Sequence, residues 1–278
     1  NGSMLAVKPE NGDGDMTFSR NSAATRVNAQ GLVENVQILS SNLVTNGDFS
    51  QEGSQLILNP NFNDNTWWGL DASWSILNGA ANSNGSGTIY KGGVLTVGKN
   101  YKVVVSVSSY TSGTLSYPNA SNTIPSEVGV YTFYYTANSQ TVSFTGSSFI
   151  GSIDNVSVKE VGQDWTLGTG WSIGEDKAVA NTTGNFVNLY QNSTFVVGKT
   201  YKTTFTISDY TQGSVRLTEN GYDISGFQNA VGTYTTYFTA SQTDLYMQGH
   251  SSFIGSITNI SVLEITDDTN LPRINYEG

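Results

Sequence analysis

VGKNYKVVVSVSSYTSG, from Val97 to Gly113, returns as VGKTYKTTFTISDYTQG from Val197 to Gly213, a shift of 100 residues. Further on, SSFIGSIDNVSV from Ser147 returns as SSFIGSITNISV from Ser251, and only Asp154/Thr258 and Val156/Ile260 differ. Earlier, WGLDASWSI from Trp68 matches WTLGTGWSI from Trp165. A period of this size belongs to whole domains, since solenoid and propeller units are shorter. The chain therefore carries two tandem copies of one unit.

Side chains alternate within these words. Tyr101, Val103, Val105 and Val107 share one face, as do Tyr201, Thr203, Phe205 and Ile207, while Lys102 and Lys202 take the other. The first of these faces is expected to be core. In a later word Tyr131, Phe133 and Tyr135 point one way, matched by Tyr234, Thr236 and Phe238, which leaves Tyr134 and Tyr237 facing the other way without an obvious packing need. The closing word breaks phase: Ile153 is out of step with Val156 and Val158, and Ile257 with Ile260 and Val262. One extra residue predicts a bulge at Asp154-Asn155 and at Thr258-Asn259. Short strands bounded by Gly, Asn and Ser predict an all-β chain of two tandem antiparallel jelly-roll β-sandwiches with a short N-terminal strand-rich extension.

Composition agrees. Of 278 residues only 12% are charged, about half the usual load, and long helices depend on charged surface pairs. The length allows two domains, each large enough to bury a core without disulfides. With no cysteine, thiolate catalysis and Cys-based metal sites are excluded, and the single histidine, His250, rules out a multi-histidine zinc site and weakens any Ser-His-Asp scheme. The net charge of −10 has the wrong sign for a phosphate backbone, so no nucleic-acid partner is expected. No apolar run approaches the roughly 18 residues of a membrane span, so no membrane insertion is expected either.

The chain divides into an N-terminal extension (1–41), a first sandwich (42–161), a second sandwich (162–265) and a polar linker (266–278) expected to lead into a longer parent protein. In the extension, Met16 to Arg20 and Ala24 to Asn28 read as short strands and Ala29-Gln30-Gly31 as a turn. A leading segment that reads as the entry strand of a sandwich occurs twice before the first copy, as LVTNGDFSQ from Leu43 and LILNPNFND from Leu56, and not at all before Trp165. Two sandwiches and two leading segments suggest nesting, in which Leu43 to Ser50 completes the second sandwich and Leu56 to Asn63 the first. Phe49 should then pack with the second copy.

The pattern NGDF or NPNF, then a Trp-rich segment ending WSI, a VGK-x-Y-K strand and a closing GSIDNVSV resembles the jelly-roll carbohydrate-binding modules grouped around families 4, 9, 16 and 22. The resemblance covers residues 43 to 265 and implies non-catalytic binding of a poly- or oligosaccharide, across the concave sheet face or at the loops of one end. The words DGDMTFSRNSAATRVNAQGLVE and LPRINYEG resemble segments of bacteriophage structural proteins, of the tail-fibre and adhesin type. They imply a virion component, extracellular and touching a bacterial surface, homo-oligomeric in the parent virion.

Sugar rings stack their C–H faces on exposed aromatics and give their hydroxyls to amides and acids. Trp68 and Trp74 recur as Trp165 and Trp171 and read as core, whereas Trp67 has no counterpart and reads as a platform. Tyr110 and Tyr210 at the S-x-Y-T-x-G loop edge, Tyr117 before Pro118, Tyr90 with Tyr190, and Tyr134 with Tyr237 complete the candidate ligand-binding set. The same resemblance implies a structural Ca²⁺ near the leading and closing strands of the first module, with Asp154 as ligand and Asp48 or Asp64 contributing. The alternative for Asp154 is a local cap on the bulge. Thr258 removes that carboxylate from the second copy. Asn11-Gly12-Asp13-Gly14-Asp15 lacks the later Glu of a calcium loop and reads as a turn, and Asp267-Asp268 as solvated linker.

No enzyme activity is expected. Glycoside hydrolysis needs two opposed carboxylates, and none of Asp64, Asp71, Glu127, Glu175, Asp209, Glu219 and Asp223 recurs at one place in both copies. His250 stands in QGHSSF where the first copy has FTGSSF, an unrepeated loop residue. The rival to sugar binding is a structural spacer or oligomerisation segment of a viral fibre, since one fold serves both uses.

Overall fold

A computed structural model of the chain describes residues 25–27, 33–35, 38–117 and 122–266. Among these the protein is all-β, with no helix. The expected strands at Met16–Arg20, the Ala29–Gly31 turn, the Asn11–Asp15 turn and Asp267-Asp268 lie outside the described residues. Thr25–Val27, inside the expected Ala24–Asn28 strand, pairs antiparallel with Val33–Asn35.

Two antiparallel jelly-roll sandwiches follow, each built on a pair of long strands. In the first, Asn100–Tyr117 and Val142–Val161 pair along most of their length. In the second, Thr200–Glu219 and Leu245–Thr266 do the same. Each pair shifts register several times at mid-length, so the strands turn a corner and pass from one layer to the other. At that corner Gly113 and Gly213 take φ of +81° and +75°. The hydroxyls of Tyr110 and Tyr210 each donate to the carbonyl of that glycine at 3.1 Å.

The alternation expected of the strand words holds. Tyr101, Val103, Val105 and Val107 are buried, as are Tyr201, Thr203, Phe205 and Ile207. The bulges also lie where the phase breaks: Asn155 and Asn259 take φ of +51° and +52°, and pairing skips between Asp154 and Ser157 and between Thr204 and Thr206.

Phe49 is fully buried in the second core, its ring 5.2 Å from that of Trp165, whose indole N–H donates to the carbonyl of Asn46 at 3.0 Å. Phe62 lies 5.4 Å from Trp68, whose indole N–H donates to the carbonyl of Asn59 at 3.0 Å. The bulge amides Ile260 N and Val156 N then bond the carbonyls of Gly47 and Pro60, both at 2.9 Å. Neither leading segment is the strand expected of it: each forms a turn that closes as the same latch on a different sandwich, because its backbone groups bond an indole and a bulge instead of a neighbouring ladder. Residues 42–50, counted with the first sandwich by their place in the chain, hydrogen-bond to the second: Leu43 N donates to Val262 O and Gln191 holds the Thr45 backbone. Even Ile38–Leu39, counted with the extension, pairs with Ile265 and Thr266. The bonds are local in kind: the Asn46-Gly47-Asp48-Phe49 turn offers its Asn46 and Gly47 carbonyls to the Trp165 indole and the Ile260 bulge amide.

The chain crosses between sandwiches at Glu52 and Val161, which are register partners. Glu52 sits between Lys102 at 2.6 Å and Lys159 at 2.9 Å, and hydrogen bonds from Lys102 first and Lys159 second hold its carboxyl below the usual glutamate range. A lowered folded pKa contributes stability above the unfolded pKa, and that contribution is lost as pH falls through the folded value. Glu52→Gln should therefore lower the urea midpoint of the first sandwich slightly at neutral pH, and the difference from wild type should shrink as pH falls below the ordinary glutamate range and through the depressed folded value. Urea titrations at the two pH values check this.

Candidate functional site

The structure scatters the predicted aromatic residues. Tyr117 is fully buried, its ring between Phe133 and Phe144, because the strand runs on to Tyr117 instead of ending in a loop. Tyr110 and Tyr210 pack against their cores and lock the corners, so both rings serve the fold. Tyr134 has the packing partner that the sequence does not reveal: it lies against the core of the other sandwich, facing Gly174. Its counterpart Tyr237 is 54% exposed. Tyr90 is exposed and lies flat over Gly69, whose added Cβ would meet the ring at 2.6 Å. Trp67 is half-buried edge-on against Trp68, with the Lys91 ammonium 5.2 Å above its ring. Tyr190 stands 5.0 Å from Tyr246.

Tyr190 and Tyr246 lead to a larger arrangement on the outer face of the second sandwich. Three strand segments lie side by side there, with Asn188 opposite Gln248 and Gln248 opposite Arg216. Leu189, Met247 and Leu217, the next residues along, point into the core. The outward row is one hydrogen-bonded chain. Gln248 Nε2 donates to Asn188 Oδ1 at 3.1 Å, and Arg216 Nε and Nη2 donate to Gln248 Oε1 at 3.0 and 2.7 Å. Arg216 Nη1 reaches Asp223 Oδ2 at 3.2 Å, and Gly226 N holds the other oxygen of Asp223 at 2.8 Å. Both Asp223 oxygens are thereby engaged, and the guanidinium charge is neutralised in place.

Aromatic rings flank this polar row on both sides. Two residues along the strands in one direction stand Tyr190 and Tyr246; in the other stand Phe186 and His250, with Phe227 beside them. Phe227 lies 4.5 Å from the guanidinium carbon and 4.6 Å from the His250 ring, and Phe186 lies 5.6 and 5.2 Å from the same two groups. Phe186 is 53% and Phe227 43% exposed. At about 3.4 Å per residue the two aromatic rows, four residues apart, stand about 14 Å apart. Thr218, next after Arg216 on the outward side, has a buried hydroxyl with no partner among the described residues.

The first sandwich carries Thr88, Thr145 and Ser116 at the matching positions, their hydroxyls bonded to one another or to backbone, and Ser86 where the second has Phe186. The face is therefore a property of the second copy. Sequence reasoning set His250 and Asp223 aside and missed Phe186, Asn188, Arg216, Phe227, Tyr246 and Gln248. The available signal was the mismatch: inside words that otherwise repeat, one copy holds Arg, Gln and Phe where the other holds Ser and Thr.

Each of the carboxylates expected to hold calcium has its own local partners. Asp48 follows its leading segment to the second sandwich, where its backbone carbonyl accepts from Thr258 at 3.4 Å. Asp64 accepts from the Thr66 amide and hydroxyl at 2.9 and 2.7 Å, which lowers its pKa. Asp154 accepts the Asn155 amide at 2.7 Å and its side-chain Nδ2 at 3.2 Å, the arrangement of a bulge cap. Among the described residues no three Asp, Glu or His side chains converge on a point.

No known family profile matches the chain, and no curated protein matches it. Among solved structures it is similar to the N-terminal tandem CBM22-1–CBM22-2 domain of Paenibacillus barcinonensis Xyn10C, at 9% identity over 81% of this chain and 94% of that one, with a TM-score of 0.30. It is also similar to the tandem CBM51 modules of Sp3GH98, the family 98 glycoside hydrolase of Streptococcus pneumoniae SP3-BS71, at 6% identity over 84% of this chain and 100% of that one, with a TM-score of 0.22.

Proposed function

We propose that the outer face of the second sandwich binds a neutral glycan without catalysis. One observation carries this reading: a hydrogen-bonded row of Asn188, Arg216 and Asp223 joined by the buried amide of Gln248 lies between half-buried Tyr190 and Tyr246 on one side and exposed Phe186 and Phe227 on the other. Rings accept the C–H faces of sugars, and the amides and guanidinium N–H groups between them meet hydroxyls. Asp223 cancels the charge of Arg216, so an acidic sugar gains little there and a neutral one loses nothing. The resemblance of the terminal words supports placing the protein in a phage tail or adhesin-like assembly outside the cell. A structural role is supported by Tyr134, which joins the two sandwiches.

The test is retardation in gels containing bacterial or algal polysaccharides, preceded by a glycan array. Phe227→Ala and Arg216→Ala should each weaken binding about tenfold or more, equivalent to about 1.4 kcal/mol. Trp67→Ala, on the other sandwich, should change it less than about twofold, and added salt should change it little. Absence of binding to every polysaccharide would favour the structural role, and equal loss in Trp67→Ala would move the binding site off this face.

A further inference from the structure

Apart from the small hairpin of Thr25–Val27 and Val33–Asn35, the described strands sort into two sheets that share no member. One contains Ile38–Leu39 and every strand from Thr166 to Thr266; the other contains every strand from Glu52 to Val161. The buried cores divide the same way. Val44 and Phe49 join residues 161 to 262, and the first core draws only on residues 57 to 158. The first sandwich is thus enclosed in sequence by the second.

Both pairs of chain passages are neighbours in space. Ile38 and Leu39 run antiparallel to Thr266 and Ile265 at one edge of the second sandwich. Ser40 N donates to Glu264 O at 3.0 Å, and Glu264 N donates to Ser40 Oγ at 2.9 Å. The chain then leaves for the first sandwich at Glu52 and returns beside it at Val161. Tension entering before Ile38 and leaving after Thr266 therefore acts across the second sandwich alone.

We infer that the first sandwich is an insertion shielded from load, and that the whole unit branches sideways from the chain that carries it. Flanking segments that leave side by side cannot be held apart by the sandwiches between them, so the unit does not act as an in-line spacer. Under tension the order of opening is fixed. The bridge at Ile38–Leu39 and the Phe49 latch must be stripped from the second sandwich before any force reaches Glu52. Strength does not decide the order; connectivity does.

Single-molecule pulling on the full chain, with handles at its two termini, tests this. Wild type should give two unfolding events in sequence. Phe49→Ala should lower the force of the first event and leave the second unchanged. Phe62→Ala should lower only the second event, and that weakened event should still come second in every trace. If Phe62→Ala does not fold, Ile89→Val, which also trims the first core, serves in its place. A weakened first-sandwich event that moves to first position would overturn the inference. So would an unchanged first event in Phe49→Ala. The outcome is independent of whether any glycan binds.

Discussion

Phe49→Ala should destabilise the second sandwich by about 3–5 kcal/mol and leave the first untouched. The ring is 1% exposed and packs on Trp165, and its removal leaves a cavity among side chains fixed by sheets on either side. For a unit of this size such a loss should lower the melting midpoint by more than about 10 °C. Calorimetry on the full chain reads it as a shift of one of two transitions. Phe62→Ala should shift the other. If Phe49→Ala moved the transition that Phe62→Ala also moves, Phe49 would be acting within the first sandwich.

Gly213→Val should cost the second sandwich more than Phe49→Ala does, well over about 5 kcal/mol, which exceeds the stability of a marginal domain and abolishes its folding. A side chain there meets two penalties at once. The φ of +75° is a left-handed conformation that a β-branched residue resists. A Cβ would also lie 2.6 and 2.7 Å from the Phe253 Cα and N and 2.8 Å from the His250 carbonyl, all backbone atoms with nowhere to move. Gly198 separates the two penalties, since its φ is +86° but nothing stands within 4 Å of the added carbon. Gly198→Ala should cost only the backbone strain, about 1 kcal/mol. Loss of one calorimetric transition in Gly213→Val, with both retained in Gly198→Ala, is the expected result.

The fold was legible because its signals are local and doubled. Two copies of a strand word fix which face is core, and a phase break between Ile153 and Val156 marks a bulge without knowledge of the partner strand. Even the long-range placement of Phe49 followed from counting leading segments against sandwiches. The candidate face was not legible, because Asn188, Gln248 and Arg216 become neighbours only through the register of three strands. Tyr117 and Tyr134 failed for a related reason. Tyr117 sits before a proline yet still inside the strand, and Tyr134 faces outward from its own sheet only to meet the other sandwich.

The paired latches also bear on how the chain finds its fold. Asn46 and Asn59 offer the same carbonyl to an indole, but Asn59 lies 9 residues from Trp68 and Asn46 lies 119 from Trp165. Closing the longer loop costs about 2 kcal/mol more in chain entropy, so the shorter latch should form first and occupy Trp68. By the time Trp165 emerges during synthesis, Trp68 is taken, and the earlier segment has one acceptor left. Kinetic proximity, and not a difference in affinity, keeps two interchangeable latches from trading places.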